Sequence, residues 1–154
     1  MMTGNTGKAY QVDVTDEARI QKIINEAVGK FNGRLDIFVA NAGVPWTQGA
    51  ITDGELSHYR KVVATDLDGV FYCAQTAAEI WRRQAKEGTD LFGDKLENYT
   101  MGSFITTASM SAHIVNVPQL QAAYNAAKAG ALHLCKSTLG RQVPFWKFAR
   151  PSVN

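Results

Sequence analysis

The sequence predicts an α/β domain in which a parallel sheet is covered by helices in a three-layer α-β-α arrangement. Three observations predict it. Two strand-length apolar runs stand at residues 35–40 and 102–107. Helical-period segments precede, separate and follow them. Each run ends abruptly in small polar residues, as strands feeding loops do. A chain of 154 residues with 45% hydrophobic content fits one domain and is ample for a packed core.

Taken in order, residues 8–12 (Lys-Ala-Tyr-Gln-Val) form a short strand candidate, and Thr15 or Asp16 then offers a helix cap. Ile20, Ile23, Ile24, Ala27, Val28 and Phe31 recur at the spacing of one buried helix face, and Asn32-Gly33 ends the run. Residues 35–40 are almost continuously apolar, which predicts a strand covered on both sides. Residues 43–54 read as a loop. The stretch 53–88 reads as a long helical segment kinked near 66–69, and the polar residues 88–102 as an exposed connection. Another strand is predicted at 102–107, a loop at 109–121, and an alanine-rich helix from 122 to about 139.

Composition excludes several functions. Net charge is +2 and the basic residues are scattered, so nothing points to nucleic acid or a membrane surface. No window approaches the apolar length of a membrane span, and no leader-like segment opens the chain, so a cytoplasmic location is expected. Cys73 and Cys135 lie in helix-like apolar stretches and read as buried thiols. His133 with Cys135 lacks the further ligands of a zinc site, and no metal is expected. Asp66 and Asp68 are two apart on a helix and point away from each other.

The chemistry-bearing residues cluster after the strands. In a parallel sheet, ligands lie beyond the carboxyl ends of the strands. The residues there are Asp13, Asn41-Ala42-Gly43 and Ser109-Met110-Ser111. On the following helix, the four-residue step from Tyr124 to Lys128 stacks a phenol and an ammonium on one face. A free tyrosine has a pKa near 10, and a nearby cation favours the phenolate. Such a phenol can pass a proton to or from a substrate oxygen. Singly, each feature has a plainer reading: a helix cap for Asp13, a turn for Asn41 to Gly43, and loop hydroxyls for Ser109 and Ser111.

In this order the residues resemble the short-chain dehydrogenase/reductase family, over about residues 8–136. The stretch Thr107-Ala-Ser-Met-Ser-Ala-His-Ile-Val-Asn-Val-Pro118, followed by Tyr124-Asn-Ala-Ala-Lys-Ala-Gly130, is similar to the fungal polyol branch. That branch includes mannitol 2-dehydrogenases, sorbitol-utilisation enzymes and L-xylulose reductases. The resemblance implies a partial Rossmann-type fold holding the family's third to fifth strands. It implies NADP(H), with NAD as the alternative, and hydride transfer to or from a polyol or ketose such as mannitol/fructose or xylitol/xylulose. Tyr124 would donate or accept the proton, and Lys128 would favour its ionised form and hold the nicotinamide ribose. A serine would hydrogen-bond the substrate oxygen. Counting along the strand from Gly102 selects Ser109, whereas the family's common thirteen-residue separation selects Ser111; strand register shifts less readily than loop length, which favours Ser109. Asp13 and Val14 would approach the adenine, and Asn41, Ala42 and Gly43 would line the cofactor cleft. Full-length relatives would be tetramers built through their long helices. Trp46, His113, Asn116, Gln119 and Gln121 are candidates to line the substrate pocket.

The sequence departs from the family in three places. Asp66 stands where the family often has an asparagine whose backbone holds a relay water; a backbone role survives that change, and the side-chain contribution is left open. No stretch, residues 3–7 included, follows a strand with the Gly-rich pattern that faces the pyrophosphate. The residue that would distinguish NAD from NADP is absent with it. After Lys136 the likeness fades, residues 137–144 are expected to break the helix, and the sixth strand is expected to be lost. The expectation is therefore a fragment whose strand at 8–12 has no neighbour and which binds the dinucleotide weakly or not at all. The alternative function is that of an inactive truncated chain docking its two long helices onto full-length relatives.

Overall fold

A computed structural model describes residues 7–138 and 146–148. Helix α1 spans Glu17–Phe31. It starts where Asp16, in an extended conformation, accepts a hydrogen bond from Arg19 N at 2.9 Å, which satisfies one of the first turn's free amides. Ile20, Ile24 and Val28 form its buried face. Asn32 ends the helix, and Gly33 follows in the left-handed region at φ 71°. Strand β1 covers Ile37–Ala40.

The long helical segment is divided as its kink predicts. Helix α2 (Leu56–Val63) passes through a π-helical turn at Ala64–Asp68 into α3 (Gly69–Glu87), which Gly88 closes at φ 68°. Strand β2 (Gly102–Thr106) follows the exposed connection. A single 3-10 turn, Met110–Ala112, interrupts the next loop. Helix α4 then runs Ala122–Thr138, and β3 is Trp146–Phe148. The sheet order is β1-β2-β3, all parallel, with Phe38 opposite Phe104 and Gly102 opposite Trp146.

The core lies between the sheet and the helices. Phe38 and Phe104 stack at 5.8 Å, and Ala40, Val70, Ala74, Ala77 and Trp81 pack around them. Gly102 is required beneath Trp81, because a Cβ there would come within 2.0 Å of the indole. Trp81 Nε1 and Gln84 Nε2 each donate to Leu35 O at 2.9 Å, while Leu35 N donates to Gln84 Oε1 at 2.8 Å. Those bonds satisfy the backbone entering β1 where the ladder has not begun.

Three expectations are corrected. Residues 8–12 form no strand: with no neighbouring strand among the described residues to supply partners, Val12 and Val14 pack as irregular chain against the core. The run at 35–40 is not covered on both sides. The face carrying Phe38 and Phe104 meets the helices, while on the opposite face Ile37 and Val39 are 61% and 56% exposed and Ile105 is exposed beside them. Among the described residues, the sheet thus has one helical layer. A strand after α4 is present, since β3 pairs with β2. Ser137 and Thr138 remain within α4, and residues 139–144 of the predicted helix break lie outside the described residues.

Candidate active site

The predicted residues split into a tight group and an outlying pair. The tight group forms where β1 and β2 end side by side. Thr107 N donates to Ala40 O at 3.1 Å, and Thr107 Oγ1 donates to Asn41 Oδ1 at 2.6 Å, tying the two strand ends together. Asn41 is thereby a brace between the two strand ends. Beyond it, the chain turns through Ala42 and Gly43 toward the π turn, where Val44 N donates to Asp66 Oδ2 at 2.9 Å. Gly43 has no room for a side chain: a Cβ would lie 2.7 Å from Asp66 Oδ1 and 3.1 Å from Lys128 Nζ.

Helix α4 carries Tyr124 and Lys128 into this group. Ala123, Ala127 and Ala131 are buried small residues that let α4 approach α2 and the π turn closely. Tyr124 is half-buried, and Lys128 Nζ lies 5.6 Å from its ring centroid, one turn away. Lys128 is only 3% exposed. Its ammonium donates to Thr107 O at 3.0 Å and sits 3.0 Å from Asp66 Oδ1; Asp66 is completely buried. A buried ammonium needs such partners, since an isolated charge removed from water is strongly disfavoured. The result is a fixed positive charge beneath a partly accessible phenol.

The two serines sit on the turn that packs against α4. Ser109, in extended conformation, caps the 3-10 turn by accepting from Ser111 N at 3.1 Å. A hydroxyl that accepts in this way keeps its own hydrogen for donation elsewhere. Ser111 is buried and Ser109 is half-buried.

Asp13 and Val14 lie apart from this group. Asp13 Oδ1 accepts from Thr15 N and Thr15 Oγ1 at 2.9 and 2.8 Å. Those donors hold its carboxyl below the usual carboxylate range. Val14 packs against Gly69 at the start of α3 and lines a groove of ≈ 430 Å³ that reaches Asn41 and Ala42. Of the suggested pocket residues, Trp46 is buried: its Nε1 donates to Gly49 O, and its ring packs with Val62, Ala123 and Ala127. His113 and Gln119 are exposed, and Asn116 and Gln121 half-buried.

Sequence reasoning missed the side-chain role of Asp66. Asp66 and Lys128 are 62 positions apart, and no periodicity relates them; only packing of α4 on the π turn brings them together. The sole signal was a carboxylate at a place expected to hold an amide. Cys73 and Cys135 are buried, and burial pushes each thiol up to about 11. Among the described residues, no group of acidic, histidine or cysteine side chains could hold a metal, and no helix is long and apolar enough to cross a membrane.

Comparison with known proteins bears on the family and the fold. The family described as enoyl-(acyl carrier protein) reductase matches residues 2–141. An L-xylulose reductase of Hypocrea jecorina is 54% identical over 130 residues, covering 84% of this chain and 45% of that protein. A sorbose reductase of Candida albicans is 46% identical over 135 residues, covering 87% of this chain and 42% of the relative. Among solved structures, an NADPH-dependent 3-quinuclidinone reductase from Rhodotorula rubra superposes with a TM-score of 0.67 at 40% identity, covering 83% of this chain and 42% of that one. The chain spans less than half the length of these relatives.

Proposed function

The chain belongs to the short-chain dehydrogenase/reductase family, and we propose that it carries the acid/base side of an NADP(H)-dependent oxidoreductase acting on a polyol or ketose. The observation that carries this reading is the buried Lys128 ammonium fixed one helical turn from Tyr124, at the ends of β1 and β2. The substrate class follows the printed names of the relatives, which include L-xylulose reductase, sorbose reductase and NADP-dependent mannitol dehydrogenase.

The residues present fit the ribose end of a dinucleotide. Gly43 lets the 41–44 loop close on the Lys128 ammonium, which has donor capacity beyond Thr107 O, and Asn41 adds its amide at the same strand end. A pyrophosphate cradle of glycine-rich amides after a strand does not occur among the described residues. When bound, the dinucleotide supplies or accepts the hydride. In reduction, Tyr124 O–H donates its proton to the substrate oxygen as that oxygen gains charge; in oxidation, its phenolate takes the proton back. Lys128, one helical turn from the phenol, holds its ammonium beside the reacting oxygen and the ribose. Ser109, whose own hydrogen is free to donate, steadies the developing alkoxide, with Ser111 as the alternative.

The test is NADPH oxidation followed at millimolar cofactor with L-xylulose, L-sorbose and D-fructose. Ketose-dependent oxidation is the expected result, with saturation by NADPH well above the micromolar range because no glycine-rich pyrophosphate cradle occurs among the described residues. Absence of oxidation with every ketose would refute the reading. A second reading, an inactive chain that associates with full-length relatives, is favoured by the uncovered Ile37, Val39 and Ile105. Under it, the chain co-elutes with a full-length relative in size-exclusion chromatography and shows no turnover alone.

A further inference from the structure

We propose that Asp66 is a positioning residue, whose carboxylate locks Lys128 and the 41–44 loop at a fixed separation before any ligand arrives. Its catalytic consequence rests on the function proposed above; its existence does not. Asp66 sits in the π-helical turn between α2 and α3, and extra residues of this kind re-aim side chains out of the regular helical ladder. Both carboxylate oxygens are used. Oδ2 accepts the Val44 N–H, which fixes the loop leaving β1, and Oδ1 faces the Lys128 ammonium at 3.0 Å. The ammonium's second partner, Thr107 O, lies immediately after β2. Three chain segments therefore converge on one buried charge pair.

The chemistry at this position depends on the charge. Asparagine has the same shape and could still accept the Val44 N–H, but it would leave the Lys128 ammonium without a compensating anion. Oδ1 meets the ammonium at ion-pair distance without hydrogen-bond alignment, so the contact is mainly Coulombic and is lost with the charge. With both partners buried, solvent screens the attraction little. Gly43 completes the lock, because any side chain there would wedge between the loop and the pair. A lysine held in this way meets the ribose and the phenol without searching among rotamers, which is preorganisation.

The test reads Lys128 directly and needs neither cofactor nor turnover. In ¹⁵N-edited spectra of the full chain, one slowly exchanging lysine ammonium is expected, assigned by its disappearance in Lys128→Met. In Asp66→Asn, the amide spectrum should stay native while ammonium hydrogen exchange accelerates at least about tenfold, as expected when the anion that compensates a buried ammonium is lost. Unchanged ammonium exchange in a natively folded Asp66→Asn would overturn the proposal. Should that variant fail to fold, the unsubstituted chain decides: a cross-peak between the Lys128 ammonium and the Asp66 Cβ protons supports the lock, and its absence refutes it. Failure of ketose turnover with this signature intact would count against the proposed function alone.

Discussion

Gly43→Ala places one methyl group against the buried charge pair and should destabilise the chain by about 2–4 kcal/mol. The added Cβ would lie 2.7 Å from Asp66 Oδ1 and 3.1 Å from Lys128 Nζ. Ordinary contacts are roughly 3.5–4.0 Å, so the neighbours must open by half an ångström or more. Neither can yield freely, since Asp66 is tied to Val44 N and Lys128 to Thr107 O. Overpacking of this kind costs about 1–3 kcal/mol, and full separation of a buried pair about 3–5 kcal/mol, which brackets the expected loss. Gly43 has no positive φ, so backbone strain does not contribute. Gly29→Ala is the control: it lies within α1 with nothing inside 4 Å of its would-be Cβ, and should stabilise by about 0.5–1 kcal/mol. Urea unfolding at neutral pH measures both. A Gly43→Ala variant within about 0.5 kcal/mol of the parent, well inside the range of ordinary surface changes, would refute the crowding of this pair.

Gln84→Leu removes both side-chain bonds to Leu35 and strands its half-buried N–H; a loss of about 1–3 kcal/mol is expected by urea unfolding. Asp16→Ala removes the cap of α1 and should cost about 1 kcal/mol, read by the same transition. Cys73 and Cys135 are held neutral by burial at about 11, above their usual 9.0. A raised folded value favours the protonated form, so this contribution is whole below pH 9 and is lost as pH rises toward 11. Iodoacetamide at pH 8 should accordingly label both thiols slowly in the native chain and rapidly in urea, followed by mass spectrometry; equal rates would contradict the burial.

The strongly periodic elements were legible from the sequence. The α1 face of Ile20, Ile24 and Val28 and its Asp16 cap are local patterns, and the kink at 66–69 coincides with the π turn. What failed depended on neighbours. The run at 8–12 has strand composition, but a strand exists only through its partner, and none lies beside it among the described residues. The apolar run at 35–40 predicts two covered faces, yet the described helices lie against only the Phe38 side. β3 was missed because a three-residue strand gives no periodic signal. In the site, order along the chain identified Asn41, Gly43, Tyr124 and Lys128, which the structure brings together, whereas Asp13 stays at its own turn. The Asp66 carboxylate entered only through tertiary packing, which a pattern read along one chain does not contain.

The central claim is that Tyr124 transfers a proton in a ketose-dependent reaction, and comparison of NADPH oxidation by the unsubstituted chain and by Tyr124→Phe tests it most directly. The account predicts ketose-dependent oxidation that falls at least about a hundredfold in the variant, with the melting transition little changed because Tyr124 is only half-buried. Equal rates in the two proteins would contradict it.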